Sequence, residues 1–145
     1  MTGPRDSSFP YSAELRTYTV EEANAALPNV RRLLGQIVEL THLLPELQDQ
    51  ARIHAYRSSR ANGGEGEHEE LELSRSAVRD AELSLQRALV ELDEIGVQLK
   101  DPQQGLIDFL SYRDGELVEL CWHLGEESVA HWHRIGEGFA GRKGL

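Results

Sequence analysis

The sequence predicts an α+β domain: a long antiparallel helical hairpin followed by a small antiparallel β-sheet of about three strands. Two apolar stripes at three- and four-residue steps flank a glycine cluster at Gly63, Gly64 and Gly66, as expected of two amphipathic helices joined by a loop. From Gly96 onward the period changes from helical to alternating, and eight of the thirteen glycines lie there. Asp114-Gly115 sits between two apolar segments and marks a hairpin, because the pair tolerates the positive φ angles of a two-residue turn.

Residues 1–16 read as a flexible leader, interrupted by Gly3, Pro4, Ser7, Ser8 and Pro10. Residues 17–145 read as one domain, with the helical hairpin over 17–100 and the sheet and an irregular tail over 101–145. Thr19-Val20-Glu21-Glu22 is a capping box, in which hydroxyl and carboxylate satisfy backbone donors at a helix start. Tyr18 supplies a hydrophobic staple before it. Pro28 predicts a kink or restart and Pro45 a second bend, since each removes a backbone donor.

Val30, Leu33, Ile37, Leu40, Leu44, Leu47, Ala51 and His54 continue a single apolar stripe. Asn62-Gly63-Gly64-Glu65-Gly66 ends it. Leu71, Val78, Ala81, Leu85, Ala88, Leu92, Ile95 and Leu99 repeat the spacing on the second helix, so a coiled-coil-like seam joins the two. Strands are then expected over 105–110, 116–124 and 128–135, with Gly136, Gly138, Gly141 and Gly144 marking the tail.

Composition narrows the function. The chain has 145 residues, 15 basic against 25 acidic, and a net charge of −10, which argues against a nucleic-acid binder needing a clustered basic face. No apolar run approaches the ~18 residues that span a bilayer, so no membrane role is expected. No apolar stretch follows Arg5, so no secretory signal is expected. A single cysteine, Cys121, excludes an internal disulfide and suggests a cytoplasmic address. The glycine clusters lack the Lys-Ser/Thr of a phosphate loop. The glutamates around His68 read as a solvated helix start.

Chemically versatile side chains concentrate between positions 121 and 133, which hold Cys121, both tryptophans and three of the six histidines. Strand alternation puts Glu119, Cys121 and His123 on one face, with His131 and His133 joining them from the next strand beside Val129. Val118, Leu120, Trp122 and Trp132 take the opposite face, against the helices. Imidazole with carboxylate or thiolate is a sound ligand set for a transition metal. The alternative is a group of half-buried histidines hydrogen-bonded to their neighbours. Cys121, inside a strand beside Trp, reads as an inert apolar residue rather than a nucleophile. Arg142 suits an anion or a carboxylate partner.

Tyr18-Thr19-Val20-Glu21-Glu22-Ala23-Asn24 with Leu27-Pro28, Gly105-Leu106-Ile107-Asp108-Phe109, Leu120-Cys121-Trp122, Leu124-Gly125-Glu126, Trp132-His133 and Gly138-Phe139-Ala140-Gly141-Arg142 together resemble the bacterial family DUF2203, over about residues 17–145. The tail Arg142-Lys143-Gly144-Leu145 departs from the family's Arg-Gln-Pro-Leu. The resemblance implies no reaction. It does imply which positions merit attention: Asp108, Glu126, His133, Glu137 and Arg142. That shifts the expected site toward carboxylates with histidine. His133, Glu126 and Asp108, with Glu22, His131 and Glu137 as further candidates, would hold Zn, Fe or Mn, and Arg142 would contact a bound ligand.

Two functions follow. One is a divalent-metal or small-ligand binding domain at the sheet–tail region. The other is a non-enzymatic interaction module, homodimeric through its helices in a four-helix bundle and presenting a surface to a protein partner, with Asp108, Glu126, His133 and Arg142 in a buried hydrogen-bonded network that fixes the tail. Neither assigns a substrate, a reaction or an enzyme class.

Overall fold

The computed structural model describes residues 15–60 and 64–145. All but the last two positions of the expected leader lie outside the described residues, as do Asn62 and Gly63 of the expected break. Helix α1 spans Val20–Ser58 and α2 spans Glu65–Ile95. Strands β1 (Val97–Asp101), β2 (Leu106–Arg113), β3 (Glu116–His123), β4 (His131–Arg134) and β5 (Lys143–Gly144) follow, with a 3₁₀ turn at Phe139–Gly141 before β5. The five strands form one antiparallel sheet in the order β1-β2-β3-β4-β5.

The capping box forms as expected: Thr19 Oγ1 accepts the Glu22 amide at 3.0 Å and Glu22 Oε1 accepts the Thr19 amide at 2.9 Å. Helix α1 continues through both Pro28 and Pro45 with no restart. Gly66 lies inside α2, because Gly64 already serves as the N-cap. At the other end Gly96 adopts φ 91° as a left-handed cap, which stops α2 and releases the chain into β1.

The sheet has five strands rather than about three. Ile95 and Leu99 fit a helical step of four, but Val97 and Leu99 equally fit a strand, and the glycine between decides for the strand. The other addition, β5, is two residues of the tail paired with His131 and Trp132. Strand β4 is shorter than the expected 128–135. Val129 consequently faces the core, where Asn24 Oδ1 accepts its amide at 2.7 Å, and does not share a face with His131 and His133.

One face of the sheet packs on the helices. Ile107, Phe109, Leu120 and Trp122 meet Leu27, Val30, Leu33, Leu34 and Ile37 of α1 and Ala88 and Leu92 of α2. Tyr18 links these layers, its hydroxyl donating to the Ile95 carbonyl at 2.5 Å while its own carbonyl accepts from buried Ser111 Oγ at 2.6 Å. Buried positions of α1 end at Ile37, so its C-terminal half pairs with α2 beyond the sheet.

Candidate metal centre

The other face of the sheet gathers the polar residues. Cys121 of β3 sits between Asp108 of β2 and His131 of β4, and Glu119 stands opposite His133. Trp122 and Leu120 point into the core, so alternation brings Glu119, Cys121, His123, His131 and His133 to one side, as the register argument expected.

Asp108 and His133 are 2% and 1% exposed, and His133 Nε2 lies 3.1 Å from Asp108 Oδ1. The opposite ring nitrogen, Nδ1, lies 2.8 Å from the Arg134 carbonyl. A carbonyl only accepts, so Nδ1 carries a proton and donates it. Nε2 and the Asp108 carboxyl then share one position between them, filled either by a proton on one of the two or by a metal ion. Glu119 Oε1 stands 3.7 Å from Nδ1.

Cys121 completes the group: ligand atoms of Asp108, Cys121 and His133 lie within 4.8 Å of one another, and all three residues are buried. Burial pushes the Asp108 carboxyl up, against the opposing pull of His133 and Lys100. Burial, reinforced by the Asp108 charge, pushes the Cys121 thiol up to about 11. The thiol in isolation is therefore protonated and a poor nucleophile, as the sequence suggested.

A cavity of about 190 Å³ opens beside this group. Lys100, Leu106, Asp108, Glu119, His133 and Phe139 line it, with the backbone of Gly136 and Gly138. Lys100 Nζ stands 3.9 Å from Asp108 Oδ2 and 3.7 Å from Glu119 Oε2.

The remaining expected residues lie around this centre. Glu126 is engaged by Arg142 through two bonds, Nη1 to Oε1 at 3.0 Å and Nη2 to Oε2 at 2.6 Å, and Oε1 also accepts the His123 amide at 2.8 Å. Burial raises the Glu126 carboxyl, but these partners outweigh it and hold it below the usual range. The Arg142 guanidinium also opposes the rise of the Cys121 thiol, so the tail acts electrostatically on the cluster. His131 Nδ1 is buried without a hydrogen bond, 3.8 Å from Glu126 Oε2. Glu137 closes the turn after β4, accepting the Arg134 amide at 2.7 Å and Lys143 Nζ at 3.0 Å. Glu22 is spent on the capping box.

The family model described as "Uncharacterized conserved protein (DUF2203)" matches residues 16–145. The chain belongs to this family. No curated protein and no solved structure matches it. Among the described residues of this DUF2203 member, no helix is long and apolar enough to cross a membrane. Its sheet brings Asp108 and His133 together and leaves Glu126, Glu137 and Arg142 one layer out. Sequence reading missed Lys100, which it placed at the end of a helix.

Proposed function

We propose that the protein is a divalent-metal-binding domain whose ion is held by His133 Nε2, the Asp108 carboxylate and the Cys121 thiolate. The observation that carries this is the buried group of Asp108, Cys121 and His133, whose ligand atoms lie within 4.8 Å of one another. His133 has its Nδ1 proton committed to the Arg134 carbonyl, which leaves Nε2 directed at the buried Asp108 carboxyl. Metal-ligating histidines are oriented in this way by a backbone carbonyl on the far nitrogen. Cys121 adds a soft donor, which favours Zn or Fe over Mn. Its proton leaves when the ion binds, and the positive charge of Arg142 favours the thiolate that results. Three protein ligands leave a fourth position, on the side where Asp108 and His133 line the cavity.

Elemental analysis of untagged protein after exhaustive dialysis tests this, wild type beside Asp108→Asn and Cys121→Ser. Near-stoichiometric Zn or Fe in the wild type, reduced in both variants, is expected. Metal-free wild type that takes up neither ion when they are added back overturns it.

A second reading rests on a different observation. Leu43, Ile53 and Tyr56 of α1, and Leu73, Leu83, Leu89 and Val90 of α2, are exposed. Two copies associating through these helices would cover apolar area that a single hairpin leaves in water. Light scattering across protein concentration decides it, and a mass of 16.3 kDa throughout removes it.

A further inference from the structure

Among the described residues, Lys100 is the one cation that lines the cavity, and a break in the ladder accompanies it. Gln98 pairs with Asp108 and Leu99 with Ile107, but Asp101 pairs with Leu106, so the register shifts across Lys100. Bulges of this kind re-aim a side chain and recur beside functional sites. The Lys100 side chain is 40% exposed, and both carboxylates near its Nζ stand beyond hydrogen-bond distance. Its three donors therefore remain available to a ligand.

The rest of the cavity fits a small guest. Its volume of about 190 Å³ corresponds to roughly six water molecules. Leu106 and Phe139 offer apolar surface for a short carbon skeleton. Gly136 and Gly138 hold φ of 92° and 74°, and nothing lies within 4 Å of where a Cβ would stand, so the chain passes here without filling the space. Glu119, 8% exposed, presents an acceptor.

We infer that the cavity binds a small 2-hydroxy acid, with its carboxylate held between Lys100 and the ion and its hydroxyl donating to Glu119; this rests on the metal-binding reading above. The ion offers an open coordination position and Lys100 an ammonium donor to one carboxylate, while Asp108, Cys121 and Glu119 balance their charge and leave none for a second. Glu119 sets the second requirement: it repels a second carboxylate but accepts from a hydroxyl. A hydroxy acid is thus favoured over both a dicarboxylate and a simple fatty acid.

The test uses the full chain loaded with Co²⁺, whose visible bands report its ligands. Glycolate is titrated in, with acetate and oxalate as comparisons, into wild type, Lys100→Met and Lys100→Arg. Saturable band shifts are expected with glycolate, tighter than with acetate or oxalate. Lys100→Met should weaken glycolate by about tenfold, one charge-assisted hydrogen bond lost, and Lys100→Arg should recover most of it. Thermal melts show that each variant folds. Glycolate affinity equal in wild type and Lys100→Met, or no stronger than acetate, overturns the inference while leaving the metal site standing. Absence of a thiolate-to-cobalt band removes the metal reading and this inference with it.

Discussion

Asp108 Oδ1 and His133 Nε2 stand 3.1 Å apart across 25 residues of sequence, both shielded from water. The two partners respond differently to substitution. His133→Ala leaves a buried carboxylate without its partner, and such a loss costs about 3–5 kcal/mol. Asp108→Asn supplies an amide N–H opposite the Nε2 lone pair and removes a carboxyl that burial already disfavours. Urea unfolding in the presence of chelator is expected to show a large loss for His133→Ala and a change within about 1 kcal/mol for Asp108→Asn. Equal, small effects would contradict a buried pair.

Metal removal should be read in the melting temperature. An ion that binds only the native state stabilises it by about 2.7 kcal/mol at a free concentration a hundred times its dissociation constant. Added Zn²⁺ is expected to raise the wild-type melting temperature with concentration, and chelator to reverse this. Cys121→Ser should flatten the dependence. A wild-type melting point insensitive to Zn²⁺, Fe²⁺ and chelator alike would remove the metal.

The Glu126–Arg142 pair fixes the tail and carries a pH dependence of defined sign. Burial raises the Glu126 carboxyl, but Arg142 and the His123 amide outweigh burial and lower it relative to the unfolded chain. Its contribution is therefore complete above the unfolded value of ~4.3 and is lost as pH falls through the depressed folded value. Asp108, raised by burial, works in the opposite direction, so the effect is isolated as the difference between wild type and Glu126→Gln. That difference should shrink from neutral pH toward pH 3. Arg142→Met at neutral pH should cost about 2 kcal/mol, as for hydrogen bonds to charged groups. A difference that is flat with pH would contradict the pairing.

Much of this arrangement was legible in the residues. The capping box at Thr19 and Glu22, the two helices and the Asp114-Gly115 turn are local signals, and each forms where its chemistry is written. The polar face was legible too, since alternation alone sorts Cys121 and His133 from Trp122 and Trp132. Long-range pairing was not. Whether 97–101 continues a helix or starts a strand depends on Gly96 and on the strand it meets, and Lys100 was lost with that choice. Asp108 and His133 stood among the expected ligands, and a carboxylate partner for Arg142 was among the expectations, but the sequence could not decide between Glu126 as a metal ligand and as that partner, or tell that Glu137 would be taken up by Arg134 and Lys143. Those partners come from the fold of the tail over the sheet.

Gly105 tests whether the turn before β2 sets the cavity wall. It adopts φ 80°, donates its amide to the Asp101 carbonyl at 2.8 Å, and accepts the Leu124 amide at 2.8 Å. A Cβ at this position would stand 2.8 Å from Leu124 Cβ and 3.2 Å from Val38 Cγ2. Gly105→Ala therefore combines backbone strain with overpacking, for an expected loss of about 3 kcal/mol. Gly115 has nearly the same φ, 81°, but a Cβ there meets nothing within 4 Å. Gly115→Ala should cost only the backbone part, about 1 kcal/mol. Gly105 joins β1 to β2, so a shift of its backbone away from Leu124 and Val38 carries Leu106 and the bulge at Lys100, both on the cavity wall. Urea midpoints measure the stabilities, and Co²⁺ spectra with glycolate measure the wall. Gly105→Ala is expected to weaken glycolate while Gly115→Ala leaves it unchanged; equal stability losses in the two variants would show that the contacts with Leu124 and Val38 do not constrain the turn.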